Sequence, residues 1–170
     1  MAGVQDINRN DLGVMIAGAV AFIASFLPYW GVSFKGTTIS GVHVGGGSAS
    51  VNAWHSYAIL GLFLIFAAAI VIAVRTFASM PTLPVGLHVL AAGLAALGTL
   101  LVIIRVFTYP HASYPGGSYG AKWGAYILII AGIAEAVFAV LGMRESGEKV
   151  AWQQSGGPAT PDQPPAAPPA

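Results

Sequence analysis

The sequence predicts an all-α membrane protein: a four-transmembrane-helix, up-down-up-down bundle made of two hairpins. Three observations carry this expectation. Hydrophobic residues make up 56% of the 170 residues and charged residues only 8%, far from the balance of a water-soluble domain. Four stretches, 12–30, 57–74, 83–108 and 123–143, approach or reach the roughly 20 residues that a helix needs to cross a bilayer core. Aromatic residues gather at one end of each stretch, where amphipathic rings meet the membrane interface.

The first span follows a short N-terminus, 1–11. Ala19 and Ala21 offer the small-x-small site of a cleaved signal peptide, but the leader carries Asp6 and Asp11 against Arg9, where a signal peptide starts basic. It is therefore read as a retained span. The second is uncharged as far as Val74, the third as far as Ile104, and Arg105 beyond it is placed to snorkel outward. Only the fourth carries a charge inside its apolar run, at Glu135. Backbone groups in lipid must pair within their own segment, so helix is the expected form of all four.

Alternating direction places the aromatic ends on one face: Tyr29, Trp30, Trp54, Tyr57, Phe107, Tyr109, Trp123 and Tyr126. Lys and Arg near the span ends set orientation. Arg9, Arg75, Arg144 and Lys149 stand on the side of the termini, against Lys35, Arg105 and Lys122 on the side of the long loops. That majority places both termini in the cytoplasm and makes 31–53 and 110–122 the outer loops.

The first outer loop has short β-prone pieces at 32–34 and 37–44, expected to make a small hairpin over the bundle mouth. The second mixes Tyr, Pro, Gly and Ser and is expected to turn easily and pack little. From residue 146 the chain loses its apolar character, and the last thirteen residues hold six prolines. A disordered Pro/Ala-rich cytoplasmic tail, 146–170, is expected. Its PxxP spacings (Pro158, Pro161, Pro164, Pro165, Pro168) are either a polyproline II ligand or a solvated tail. Trp54-His-Ser-Tyr57 and Trp123-Gly-Ala-Tyr126 echo one another at the second helix of each hairpin, through duplication or through interface chemistry acting twice.

At 100° per residue, Gly124, Leu128, Ala131, Gly132, Glu135, Ala139 and Gly142 share one stripe of the fourth span. The opposite stripe is aliphatic and suits lipid, so Glu135 is expected to face another helix. His88, Ala91, Ala92, Ala95, Ala96 and Thr99 form the corresponding inner face of the third span, and Gly13, Ala17, Ala21, Ala24 and Pro28 that of the first.

Glu135 lies about 12 Å and His88 about 6 Å from the cytoplasmic ends at the helical rise per residue. A carboxylate in lipid is costly unless paired, so Glu135 is expected either neutral or bonded to His88 or to Arg75. Glu135, His88 and Arg75 thus form the candidate intramembrane polar site. Two roles fit it: a proton or cation site, or a polar clamp that fixes helix register.

The remaining chemistry is sparse. With no Cys there is no disulfide, thiolate metal site or thiol redox reaction. A net charge of +1 with scattered Lys and Arg argues against nucleic acid as a partner. His43, His55 and His111 sit near the outer face without the spacing of a metal or haem site, so no metal and no cofactor are expected. No Gly-x-Ser-x-Gly, His-Glu-x-x-His or phosphate-binding Gly loop occurs, and Gly45-Gly-Gly47 reads as a turn. An enzyme is not expected.

WHSYAILG from Trp54 to Gly61, LPVGLH from Leu83 to His88, FTYPH from Phe107 to His111 and the WGAY of Trp123 to Tyr126 follow one another in order. In these the chain resembles uncharacterised small four-span membrane proteins of high-GC bacteria. The resemblance implies a location in the bacterial plasma membrane and no particular activity. A likeness to claudin-type four-span proteins stops at their outer Trp and Cys signature, since Cys is absent. The expected role is that of a non-catalytic accessory or assembly subunit of the cell envelope. Its expected partners are the lipid bilayer and either another membrane protein or copies of itself. The alternative is a small oligomeric proton- or ion-coupled transporter or channel using Glu135.

Overall fold

The computed structural model describes residues 7–55, 58–78, 86–108 and 110–147. Four helices dominate: α1 (Arg9–Ser25), α2 (Ile59–Phe77), α3 (Leu87–Thr108) and α4 (Trp123–Ser146). Between α1 and α2 lie strands β1 (Trp30–Phe34), β2 (Thr37–Ile39), β3 (Val42–Val44) and β4 (Gly47–Val51), then a 3-10 turn, Ala53–His55. Between α3 and α4 lie β5 (Ala112–Tyr114) and β6 (Gly117–Ala121). The molecule is mostly helical but not purely all-α.

Among the described residues three helices, α2, α3 and α4, are long and apolar enough to cross a membrane, not the four expected. Helix α1 has only 17 residues and begins three positions before the expected span. Asn8 starts it by accepting the Asn10 N–H at 2.8 Å. It ends five residues short of position 30. Pro28 cannot continue a helix, the N–H groups of Phe26 and Leu27 fold back to the Ile23 and Ala24 carbonyls, and Trp30 enters a strand. At the other extreme α4 runs three residues past the expected 143, until Gly147 closes it in the left-handed conformation at φ 69°.

The helices form a ring in which α1 packs on α2 and α4, and α3 packs on the same two. The small-residue stripe of α4 is buried throughout: Gly124, Leu128, Ala131, Gly132, Glu135, Ala139 and Gly142. On α3, His88, Ala91, Ala92, Ala95 and Thr99 are buried as expected, whereas Ala96 is exposed and Gly98, Val102 and Val106 complete the inner face. On α1 the inner face includes Asp11, Val14, Gly18 and Ser25 beside the expected alanines, while Gly13 and Pro28 stay half-buried. Helices α2 and α3 approach backbone to backbone. A Cβ on Gly61 would lie 2.8 Å from the Gly98 carbonyl oxygen, and one on Gly98 2.7 Å from that of Gly61. The two backbones touch there because neither position carries a side chain.

The segments between α1 and α2 and between α3 and α4 overturn their expectation. The second does not pack loosely: β5 and β6 pair, and β6 pairs with β1, joining both segments in one antiparallel sheet of order β4-β1-β6-β5. Trp30 stands opposite both Val51 and Ala121 in the registers of β1 with β4 and with β6. Lys122 Nζ donates to Ser33 Oγ at 2.8 Å, and its N–H to the Tyr29 carbonyl at 2.9 Å. The expected hairpin is β2 with β3, separate from that sheet, and Gly47 of the supposed glycine turn opens β4.

Candidate functional site

Arg75 near the end of α2 and His88 at the start of α3 meet, as their positions across the short middle loop suggest. Arg75 Nη1 donates to His88 Nδ1 at 2.7 Å. The third member is not Glu135 but Asp11, in the first turn of α1: His88 Nε2 lies 2.8 Å from Asp11 Oδ1, and Arg75 Nη1 lies 3.7 Å from Asp11 Oδ2. An imidazole with its proton on Nε2 can donate to the carboxylate while Nδ1 accepts from the guanidinium. Arg75 Nη1 also lies beside Nε2, but that ring nitrogen is already directed at Asp11.

Three helices therefore converge on one imidazole, and the fourth makes room for it. Gly142 of α4 faces the ring, and a Cβ there would sit 2.8 Å from Nε2. His88 is 3% exposed at its side chain, Asp11 12% and Arg75 32%, so the cluster grades from sealed to wet. Its carboxylate and guanidinium compensate each other, which is the condition for keeping charges at this depth. Beside it Asn8 Nδ2 donates to Glu145 Oε2 at 2.8 Å, a second tie between the first and last helices.

Asp11 falls just outside the expected first span, among the leader residues 1–11. The available signal was its distance from the apolar core of the first span: on a helix, Asp11 shares a face with Val14, Gly18 and Ala21.

Glu135 stands apart, seven residues along α4 from Gly142, or about 10 Å at the helical rise. It is fully buried, and neither carboxyl oxygen meets the geometry of a hydrogen bond among the described residues. Gly18 of α1 and the backbone of Ala69 in α2 lie against it. The expectation of a bond from Glu135 to His88 or Arg75 is not met, because Asp11 occupies that place. Such a setting suits a carboxylic acid, or a carboxylate with a bound cation, since a bare charge without water is costly.

At the opposite end the aromatic residues are not a uniform belt. Trp54 is built into the structure: its Nε1–H donates to Ser25 Oγ at 2.9 Å, and its ring packs near Phe26, Phe63 and Phe66. Tyr29 is buried, and Trp30 packs beside Tyr119. Trp123 and Tyr126 are more than half exposed, so the two Trp-x-x-Tyr echoes begin in unlike environments. Tyr57 and Tyr109 lie outside the described residues, as does the tail from 148 onward. His43 pairs with Thr38 and His55 with Asn52. Among the described residues no three His, Asp or Glu gather as metal ligands.

No family model matches the chain, and no curated protein matches it.

Proposed function

We propose that this is a non-catalytic multi-pass protein of the bacterial plasma membrane, an accessory or assembly subunit that holds an outer β-platform on a helical anchor. The observation that carries this reading is the union of the two outer segments in one four-stranded sheet. Its edge strand β4 is exposed at every residue, and so is the β2–β3 hairpin, with Ile39 and Val42 above 60% exposed. An open edge strand offers unpaired backbone groups to a partner strand. In the bundle, α1 rides beside the three longer helices with Ile16, Val20, Phe22 and Ile23 turned outward, a face that suits lipid. Both termini lie in the cytoplasm, an orientation supported by Arg9, Arg75 and Arg144 at that end. Native mass spectrometry of the protein taken from its own membrane is the test. A defined complex with another protein, lost on Ile39→Asp with Val42→Asp, is expected; a chain carrying only lipid would overturn it.

A second reading, an oligomeric proton- or ion-coupled transporter, is supported by the burial of Glu135 without a side-chain partner among the described residues. Glu135→Gln separates the two. Loss of proton-coupled flux in proteoliposomes with an intact bundle favours transport, and unchanged flux with a loosened bundle removes it.

A further inference from the structure

The outward face of α3 and α4 carries a groove of about 470 Å³. It exists because Ala96 and Ala136 are small where their neighbours Leu100 and Val140 are not, while Thr99 against Gly132 draws the helices together beneath it. From Ile133 to Arg144 it follows α4 for about 16 Å at the helical rise, and its walls are aliphatic apart from Thr99 at the floor and Arg144 at the cytoplasmic end.

Arg144 is exposed and makes no hydrogen bond or ion pair among the described residues. Its acidic neighbour Glu145 is engaged with Asn8 of α1. A long apolar slot that ends in an uncommitted guanidinium, at the level where the bilayer meets water, matches a phospholipid in both of its parts. We infer that this groove binds an anionic phospholipid, with an acyl chain along α3 and α4 and the phosphate on Arg144. A second copy is a poorer occupant, because a two-fold contact through this face would bring two Arg144 side chains together. The groove between α1 and α4, about 360 Å³ and lined by Gly13, Ala17, Ala134 and Phe138 among others, has no charged residue in its lining. It serves as an internal control that takes lipid chains without regard to headgroup.

The inference rests on the membrane location proposed above, and the experiment separates the two. Membranes are first washed with alkaline carbonate; release of the protein would overturn the location and this inference together. The retained protein is purified in detergent, titrated with dioleoyl phosphatidylglycerol or dioleoyl phosphatidylcholine, and its bound lipids are counted by native mass spectrometry. The anionic lipid is expected to be preferred about five-fold, in line with one basic side chain at an anionic headgroup. Arg144→Gln, a surface change, should abolish the preference, Ala136→Leu should reduce retention of both lipids, and Ala134→Leu in the control groove should leave the preference intact. Equal retention of the two lipids by the wild-type protein, a preference that survives Arg144→Gln, or a lipid-independent dimer that covers the groove would overturn the inference.

Discussion

His88 and Asp11, 77 positions apart in the chain, meet at 2.8 Å through Nε2 and Oδ1, and this contact ties the first helix to the third across the ring of helices. The first loss to expect follows from it. Asp11→Ala leaves the His88 N–H without its acceptor at a side chain only 3% exposed, at a cost of about 1–3 kcal/mol. Arg75 is spared most of that cost because it reaches water. Asp11→Asn keeps an oxygen for the imidazole and should lose about half as much. Thermal unfolding in detergent, followed by circular dichroism, gives the order wild type, Asn, Ala; equal midpoints for the two variants would contradict it.

Glu135 predicts the reverse behaviour. Among the described residues its carboxyl oxygens have no side-chain partner to lose, so Glu135→Met, similar in volume, should leave the unfolding midpoint unchanged or raise it by the equivalent of about 1 kcal/mol. A fall of more than about 2 kcal/mol would mean that the carboxyl takes part in a stabilising contact. Paired with Asp11→Ala in the same assay, it tells whether the two buried acidic residues, Asp11 and Glu135, differ in kind.

The inner stripe of α4 was legible in the sequence because small residues recur there at the helical period with bulky ones opposite, and every member is buried. Glu135 was placed inside by the same reasoning. The partner of His88 was not legible. Periodicity fixes which face a residue lies on but not the axial offset between helices, and Asp11 enters the cluster only because α1 begins at Arg9 rather than at residue 12. Ala96 misled because alanine suits both a packed face and a groove. The outer sheet was hidden for a different reason. The strands β1 and β6 lie more than 80 residues apart, and Gly-rich strands such as Gly117–Ala121 carry little alternation of apolar and polar residues to announce a pairing.

The contact of Gly61 with Gly98 makes a third prediction. Each position admits only hydrogen, because a Cβ would press on the carbonyl oxygen of the facing helix. Gly98→Val should separate α2 from α3 at a cost of at least about 2 kcal/mol, seen as a lower midpoint in the same assay. Gly93→Ala, on the same helix with nothing within 4 Å of the added carbon, should be neutral or slightly stabilising. If the two substitutions behave alike, the helices do not approach as closely as described.

Topology yields to labelling, because the chain contains no Cys and every introduced thiol is the only one present. Ser40 at the tip of the β2–β3 hairpin and Ser146 at the end of α4 are both exposed and lie at opposite ends of the bundle. With both termini in the cytoplasm, Ser40→Cys should react with a membrane-impermeant maleimide in intact cells, whereas Ser146→Cys should react only after the membrane is opened. The reverse pattern would invert the orientation and set the sheet in the cytoplasm. Labelling of both in intact cells would place them on the same side, and one of α2, α3 and α4, the three helices between the two positions, would then not cross the membrane. The pair of substitutions therefore tests the three crossings of α2, α3 and α4 as directly as it tests the sign of the orientation.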